Sequence, residues 1–400
     1  MLNTLLIRVI GAGFAFLSLG LGRAYFDDVA FGTFAYVAQC ITILVVFGQS
    51  GIEFLMFKSC SRGQLRVVFQ IFYVFILSCL PVCIVTLLVV QMITGVPLGA
   101  TLGIVTLVSA LCIILTKCFA NISLGFGQDT LYQIWDQGLR WAPLALVMLA
   151  LLGLQHLSVT SSTVSTTFLL STSGYLAITA VAVITSSLFR PRRVAFRGPR
   201  PRLVAHLFRR GLSFNAPSAM LFFLSVIDQF LLIRILEVGD YGVYRIAALA
   251  VTALAMVVDV LGLSIRRRFM AERDAQMRSF VFYELRARFR LLSLVGFIGG
   301  VGVLAIGHIV PYSEYFQLAG VMVIGHSIAI SFGDPMFALK VSGKESAATL
   351  IAIAMLIVSP PLIWTLITAH GMLGAAIANG LVAVVTKLLL STAAKRTGAI

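Results

Sequence analysis

The stretch FDDVAFGTFAYVAQ (26–39) returns in outline as LEVGDYGVYRIAAL (236–249) in the second half of the chain. Each copy has an acidic residue, a glycine, an aromatic residue two positions later and then an apolar run. Gly32 corresponds to Gly242, and Phe34 corresponds to Tyr244. A motif that recurs in the same order in both halves predicts a chain built from two similar parts.

The composition indicates that both parts fold in a lipid bilayer. Of the 400 residues, 60% are hydrophobic and only 11% are charged, and the apolar residues form long blocks. A helix needs about 20 apolar residues to cross roughly 30 Å of hydrocarbon. Hydrocarbon offers the backbone no hydrogen-bond partner, and the alternation of a lipid-facing barrel strand is absent, so the spans must be helices. The expected fold is an all-α polytopic membrane protein.

Twelve blocks of this length are separated by charged residues, glycine or proline. The pattern therefore predicts about 12 transmembrane helices in two lobes of six. The predicted spans are 4–22, 34–57, 67–93, 100–120, 139–157, 164–188, 212–233, 242–264, 289–310, 317–340, 348–368 and 373–394.

Basic residues predict the orientation of these spans. If the N-terminus lies inside, 25 of the 30 Lys and Arg residues fall on inner connections, helix ends or the C-terminal tail. Short cytoplasmic loops retain Lys and Arg, so both termini are predicted to be cytoplasmic. The net charge of +15 is then mostly a topology signal with attraction to anionic lipids, and no nucleic-acid partner is expected.

The longest charged interruption divides the spans six and six. It reads RPRRVAFRGPRPRLVAHLFRR (190–210) and contains three prolines, which discourage a continuous helix. We predict an N-terminal lobe at 1–188, a basic cytoplasmic linker at 189–211 and a C-terminal lobe at 212–400. Six helices followed by six give parallel repeats, and ligand sites in such folds are expected in the cleft between the halves.

Enzymatic chemistry is not indicated. The outer connections are short, and the sequence contains neither a Gly-rich phosphate loop nor a metalloprotease or hydrolase motif. The five histidines are scattered, and the six cysteines suit small apolar fillers better than metal ligands. A helix bundle that moves or binds something, without a cofactor or a metal, is the stronger interpretation.

Four segments resemble a known family. RAYFDDVAFGTFAYVAQCITILVVFGQSGIEFLMFK (23–58) is similar to the first hairpin of bacterial polysaccharide flippases. LSFNAPSAMLFFLSVIDQFLLI (212–233), VGDYGVYRIAA (238–248) and HGMLGAAIANGL (370–381) resemble the patterns of the second half. These flippases belong to the multidrug/oligosaccharidyl-lipid/polysaccharide exporter superfamily.

The resemblance implies two six-helix lobes that open alternately in a bacterial inner membrane. The implied cargo is undecaprenyl-diphosphate-linked oligosaccharide, which passes from the inner to the outer leaflet during synthesis of surface polysaccharide such as O-antigen or exopolysaccharide. Membrane lipids and the polysaccharide polymerase or export machinery are the implied partners. The chain is expected to act as a monomer.

Cationic residues in or near spans are the candidates for binding a diphosphate, because such charges are expensive in lipid unless paired or hydrated. Arg8 lies about one turn inside span one and is the first candidate, although a salt bridge to Glu53 or snorkelling explains it equally. Lys117 and Arg140 flank an inner hairpin, where they could also be topology charges. Arg245 follows the repeated turn and could instead pair with Asp228.

Acidic residues and a histidine are candidates for coupling to an ion gradient. Asp334 lies in SFGDPMF between Gly333 and Pro335, where it could bind an ion or cap a broken helix. His326 has a side chain suited to proton transfer, although a hydrogen-bonded core histidine is the more common case. Glu53, Asp228 and Asp259 complete the set, with structural pairing as their alternative.

Two other functions remain open from the sequence. A drug/cation antiporter of the same superfamily would be expected to have a more acidic, aromatic cavity. A membrane-embedded glycosyl- or acyltransferase would need a polar catalytic cluster on its loops. The segment RRRFMAERDAQMRSFVFYELRARFR (266–290) is predicted to form an amphipathic helix on the inner surface.

Overall fold

The computed structural model describes residues 2–49, 56, 60, 65–125, 128–156, 163–187, 201–271, 275–309 and 313–400. Every regular element among them is a helix, which confirms the all-α prediction. The chain divides into two compact units, unit 1 (Met1–Ala216) and unit 2 (Pro217–Ile400).

Unit 1 contains seven helices and one π-helical turn among its described residues, and α8 crosses from unit 1 into unit 2. In order, these elements are α1 (Leu2–Tyr25), α2 (Asp28–Gly48), α3 (Leu65–Thr94), α4 (Ala100–Gly125), α5 (Asp129–Gln133), the π turn (Ile134–Gly138), α6 (Ala142–His156), α7 (Val164–Ser187) and α8 (Pro201–Leu224).

Unit 2 continues with six helices in the described part of the chain. They are α9 (Ile227–Ile235), α10 (Val238–Ala271), α11 (Ala275–Ile306), α12 (Ser313–Ile330), α13 (Pro335–Val341) and α14 (Glu345–Arg396).

The helices correspond to the twelve predicted spans when three breaks are taken into account. These lie between α8 and α9, between α12 and α13, and at Gly371 within α14. Nine described helices or helix pairs are apolar and long enough to cross a membrane, and the bent pair α12–α13 makes a tenth span. The 52-residue α14 would be about 78 Å long if straight, far more than a bilayer requires. It supplies two spans, and the shorter apolar stretch Ala142–Gly153 of α6 corresponds to the remaining one.

Helix α14 reverses direction near Gly371. That glycine has φ 59°, a left-handed conformation that residues with a Cβ rarely adopt. A Cβ added to Gly374 would lie 1.9 Å from the carbonyl oxygen of Leu366, eight positions earlier. In a straight helix these backbones would be about 12 Å apart. The chain therefore folds back here and forms the last two spans as a hairpin.

The repeated motif is a packing anchor in each unit. Phe31 and Phe34 begin α2, Tyr241 and Tyr244 begin α10, and all four rings are at most 1% exposed. Residues three apart share one face of a helix, so each copy inserts a pair of rings into its own unit. In the first copy, Asp27 caps the helix by accepting a hydrogen bond from the Ala30 amide at 2.7 Å.

Hydroxyl groups connect α4 and α7 inside unit 1. Ser109 Oγ lies 2.8 Å from Thr172 Oγ1, and Thr116 Oγ1 lies 3.1 Å from Thr179 Oγ1. The two pairs advance together along both helices, which therefore run in the same direction. Direction and pairing agree with spans four and six of the predicted topology, and such hydroxyl bonds are typical of helix contacts in lipid.

The outer faces of several helices are apolar. Val85 and Met92 of α3 and Leu291 and Ile298 of α11 are at least 60% exposed. A helix that stays apolar on its outward face is suited to hydrocarbon rather than to water. These faces support the assignment of a multi-pass membrane protein.

Unit 2 is built around α12, which packs against α10, α11 and the second segment of α14. A close approach joins Gly325 of α12 and Gly380 of α14. A Cβ added to Gly325 would lie only 2.5 Å from the Gly380 Cα. Small residues thus bring these two helix backbones together, as is common in membrane bundles.

Two basic segments differ from their predicted forms. The predicted surface helix at 266–290 is wrong, because α10 continues to Ala271 and α11 begins at Ala275, so most of the segment extends two spanning helices. Part of the predicted linker, 201–211, is helical as the start of α8. Pro201 is the first residue of α8, a position where the missing amide proton of proline costs no hydrogen bond.

Replacing Gly325 with alanine is expected to lower the unfolding temperature of the protein, because α12 and α14 would have to move apart. Overpacking of this kind costs about 1–3 kcal/mol. Gly302→Ala is the matched control, since no atom lies within 4 Å of a Cβ added at that helical glycine. Thermal unfolding in detergent measures the effect, and equal losses in the two variants would contradict the close approach.

Candidate functional site

The main polar cluster of unit 1 surrounds the π turn. The amide of Leu139 donates to the carbonyl of Ile134 at 3.0 Å, five positions back instead of four. The ring of Trp135 packs between Ala120 of α4 and Ala182 of α7 and anchors the turn. A π turn changes the direction of the side chains that follow it, and such turns are frequent at functional sites.

Arg8 reaches this turn from α1. Its Nε donates to Gln133 Oε1 at 3.1 Å, and Gln133 is buried at the end of α5. A Cβ added to Gly138 would lie 3.0 Å from Ile7 Cγ2, so α1 and the turn are in close contact beside Arg8. Arg8 is therefore positioned by a neutral amide, and its charge is not cancelled by that contact.

Lys117 meets the turn from α4. Its Nζ lies 3.2 Å from Asp136 Oδ1, with side-chain exposures of 15% and 8%. Asp27 and Asp28 lie at the far end of α1, and Asp129 begins α5, but its side chain is outside the described part of the chain. Among the described side chains, Asp136 is the carboxylate that contacts this cluster, and it offsets one of the positive charges.

Arg140 lies two residues after the π turn, in the bend before α6. Its guanidinium lies 5.4 Å from the centre of the Trp141 ring, a cation–π distance. Two of its nitrogens, Nε and Nη2, are inaccessible to solvent and have no hydrogen-bond partner in the described part of the chain. Asp136 and Tyr175 are within electrostatic range of the guanidinium.

Three of the four predicted cargo-binding cations therefore come together. Arg8 contacts residues 133–140 from α1 and Lys117 contacts them from α4, while Arg140 lies in the bend between the π turn and α6. Arg245 lies in unit 2, where its Nη1 donates to Gln229 Oε1 at 3.4 Å. Its proposed pairing with Asp228 is not observed.

Asp228 bonds a different residue. The Tyr244 hydroxyl donates to Asp228 Oδ2, and both side chains are buried. Oδ1 of Asp228 has no partner among the described residues. The Tyr244 hydroxyl is the feature that its counterpart Phe34 lacks, so the second copy of the repeat carries a polar bond that the first cannot form.

Unit 2 encloses a cavity of about 370 Å³. Its walls are mostly apolar, and its polar side chains come from three helices (α8, α12 and α14), the turn before α13 and the break after α8. The polar lining residues are Ser218, Ser225, His326, Asp334, Asn379, Thr386 and Lys387.

His326 is hydrogen-bonded within this cavity. Its Nε2 lies 2.6 Å from Asn379 Oδ1, and Asn379 Nδ2 donates to the Ser225 carbonyl at 3.3 Å. That carbonyl lies in the break between α8 and α9, where the helix no longer satisfies it. Asn379 therefore connects a broken helix to a titratable side chain.

Asp334 caps α13. Its Oδ1 accepts from the Phe337 amide at 3.3 Å, and α12 ends at Ile330, so the predicted break is confirmed. The capping role follows from the missing helical partners at a helix start. Asp334 also lines the cavity, together with Lys387 of α14.

Two predicted coupling residues cannot be placed. Glu53 lies outside the described residues, so its proposed salt bridge with Arg8 stays a prediction. Asp259 lies on α10, but its side chain is outside the described part of the chain.

Sequence reasoning missed five partners of the predicted residues, namely Gln133, Asp136, Gln229, Tyr244 and Asn379. The segment QDTLYQIWDQGLR (128–140) carried a usable signal, since its polar residues interrupt a chain that is otherwise apolar. Asn379 could have been noticed in the same way, since its amide side chain interrupts a run of small apolar residues. Polar groups in a predicted span are costly, so they deserved the same scrutiny as the charges.

Comparisons with solved structures identify the fold. The structure titled as the outward-facing conformation of a multidrug resistance MATE family transporter of the MOP superfamily matches with a TM-score of 0.63 at 13% identity, covering 99% of this chain and 94% of that one. A eukaryotic MATE transporter matches with a TM-score of 0.60 at 15% identity, covering 99% and 95%.

A third structure, a MOP superfamily transporter from Pyrococcus furiosus, matches with a TM-score of 0.52 at 10% identity, covering 99% and 94%. Its title states that the reverse polarity of its binding pocket suggests a different function. No protein-family model and no curated protein matches the chain. The chain thus has the fold of these transporters over nearly its whole length.

Breaking the Lys117–Asp136 pair is expected to destabilise unit 1. Removal of one partner of a buried pair leaves an uncompensated charge, so Asp136→Asn and Lys117→Met should each cost about 3 kcal/mol. The double variant should cost less than the sum, with a coupling energy of about 1–3 kcal/mol from a double-mutant cycle of unfolding.

The matched control is Arg288–Glu284 on α11, a pair at 2.9 Å whose side chains are 58% and 29% exposed. Its coupling energy is expected to be about 0.3–0.5 kcal/mol, as for other exposed helix pairs. A Lys117–Asp136 coupling no larger than this control would contradict a buried charge cluster.

Proposed function

We propose that this protein is a flippase for undecaprenyl-diphosphate-linked oligosaccharide in a bacterial inner membrane. The observation that carries the proposal is the convergence of Arg8, Lys117 and Arg140 on the π turn of unit 1. Among the described side chains, Asp136 is the carboxylate that contacts these cations, so we infer an excess of positive charge at this cluster. A diphosphate is the complementary group.

Arg8 is the direct contact for the diphosphate in this proposal. It is half-buried, and Gln133 orients its guanidinium without neutralising it. Lys117 and Arg140 raise the positive potential around it. Arg245, held by Gln229 in unit 2, is the proposed contact for cargo on its way to the outer leaflet.

Energy coupling is proposed to use unit 2. His326 is hydrogen-bonded to Asn379, and the buried Asp228 retains an oxygen without a described hydrogen-bond partner. A protonatable ring and a buried carboxylate in the same unit suit the uptake of a proton or a small cation. Asp334 remains a further candidate, because it lines the cavity besides capping α13.

A drug/cation antiporter is the second candidate. The similarity to solved MATE transporters favours it, since one of their titles names multidrug resistance. An organic cation would need an accessible carboxylate, however. Asp228 is 1% exposed and bonded to Tyr244, and Asp334 caps a helix. Lys387 lies in the same cavity and would oppose a positive ligand.

Deletion of the gene is expected to accumulate lipid-linked repeat units on the inner leaflet while their synthesis continues. Loss of flipping blocks only the step after synthesis, so the repeat units remain intact and inaccessible from outside. The measurement labels lipid-linked sugars in intact cells and in inverted membrane vesicles, with the complemented strain as the control.

Two outcomes would contradict the proposal. If synthesis of repeat units itself stops, the protein acts earlier, as a membrane-embedded glycosyl- or acyltransferase would. If repeat units cross normally and the strain instead retains cationic drugs, the antiporter is the correct function.

A further inference from the structure

The cavity of unit 2 has the size and the lining of a small-molecule site. Its volume of about 370 Å³ falls within the range of ligand pockets, which are mostly apolar and carry a few polar groups. Its apolar walls come from α8, α10, α12 and α14, and they include Leu221, Leu254 and Val382. Ala255 of α10 lines the cavity and is itself exposed, so the cavity is open at that helix. A ligand can therefore enter it without passing through the packed core of the unit.

Lys387 places a positive charge on the wall of this cavity. It lies one turn from Ala383 and less than one turn from Leu390, which line the same wall, whereas Leu388 and Leu389 are 47% and 40% exposed. Lys387 is half-buried, and it forms no hydrogen bond or ion pair with the described residues. A lysine within a membrane span is costly without a partner or water, so an anion that enters the cavity is attracted to it.

The charges around the cavity select the sign of the ligand. Asp334 and Lys387 are the charged side chains of the described lining. The Asp334 carboxylate accepts from the Phe337 amide at the start of α13, a position that stabilises a negative charge. A second cation stands at the wall, because Lys340 Nζ donates to the lining residue Ser218 at 2.6 Å. The balance therefore favours an anion over a cation.

The lining also limits the number of charges that the ligand carries. A diphosphate is best received by several cations or by the two-pronged guanidinium of arginine, and the described lining contains no arginine. Lys387 offers a single point charge beside walls that are mostly apolar. One carboxylate on an apolar body is the complementary ligand, because the body fills the apolar space and the carboxylate meets the lysine.

We propose that the cavity of unit 2 binds an amphiphilic monocarboxylate, such as a single-chain fatty acid. Its carboxylate pairs with Lys387 Nζ, and its apolar body lies against the side chains of α8, α10 and α14. Burial of the apolar body supplies affinity, and the lysine selects the charge. The site goes beyond the proposed function, because it needs neither a diphosphate nor a glycan and uses none of the cations of unit 1.

The test measures binding of radiolabelled decanoate to the full-length protein in phosphatidylcholine nanodiscs. Empty nanodiscs measure the partition of decanoate into lipid, which is subtracted. Unlabelled decanoate, decanol and decyltrimethylammonium then compete with the label, since they share one alkyl chain and differ in the charge of the head group. Decanoate is expected to compete about tenfold better than decanol, because it adds a hydrogen bond between charged groups. Decyltrimethylammonium is expected to compete least.

Two variants and a matched control locate the site. Lys387→Met removes the charge and keeps a long apolar stem, so it should weaken decanoate binding about tenfold and abolish the advantage over decanol. Ala383→Phe fills the cavity from α14 and should abolish saturable binding. Lys344→Met is the control, because Lys344 is exposed before α14 and its side chain makes no capping hydrogen bond. It should bind decanoate like the wild type.

Saturable binding that Lys387→Met weakens and Lys344→Met retains supports the site. The proposal is overturned if decanoate does not bind saturably, if decanol competes equally well, or if decyltrimethylammonium competes better. Equal losses in the two lysine variants also overturn it. If Lys387→Met does not fold, Ala383→Phe decides, and undiminished binding in that variant overturns the site. The assay contains no lipid-linked oligosaccharide, so its result is independent of the flipping experiment.

Discussion

A polar group inside a lipid bilayer needs a partner, and this constraint determines which residues meet in both units. In unit 1, Lys117 finds Asp136 on a π turn that redirects the side chains of a short helix. In unit 2, the break after α8 leaves a backbone carbonyl that Asn379 satisfies from another helix. The helix interruptions and the polar side chains therefore occur together, because each interruption supplies or requires a polar partner. Together they position the groups proposed to bind cargo and ions.

The internal repeat separates architecture from function. Both copies insert an aromatic pair at the start of a helix, which is a packing role shared by the two units. Only the second copy has a hydroxyl at the last ring, where Tyr244 donates to Asp228. The position in the first half that corresponds to Asp228, by the spacing that relates Tyr244 to Phe34, is Ser18. The Ser18 hydroxyl donates to the Ala15 carbonyl of its own helix. The halves thus differ at the polar positions and agree at the apolar ones.

Sequence patterns predicted the spans because apolar length is a strong signal in a membrane chain. They also selected Arg8, Lys117 and Arg140, since charges near spans are rare and costly. The pairing of each charge with its partner could not be predicted, because a bond such as Arg8–Gln133 joins residues 125 positions apart. The π turn and the break at Ser225 were equally hidden, since a one-residue change in helical register leaves little trace in hydropathy. The interpretation of 266–290 failed because an amphipathic pattern does not distinguish a surface helix from the extended ends of two spans.

The central claim is that a positive cluster in unit 1 receives an anionic lipid-linked cargo. Purified protein in liposomes, loaded with fluorescent undecaprenyl-diphosphate-linked oligosaccharide, tests it through the rate at which label becomes accessible on the opposite leaflet. Arg8→Ala should slow this rate about tenfold or more, as for a lost hydrogen bond to a charged group. Arg23→Ala, at the other end of α1 and bonded to Asp28, should flip cargo at the wild-type rate. An unchanged rate in correctly folded Arg8→Ala protein would contradict the account.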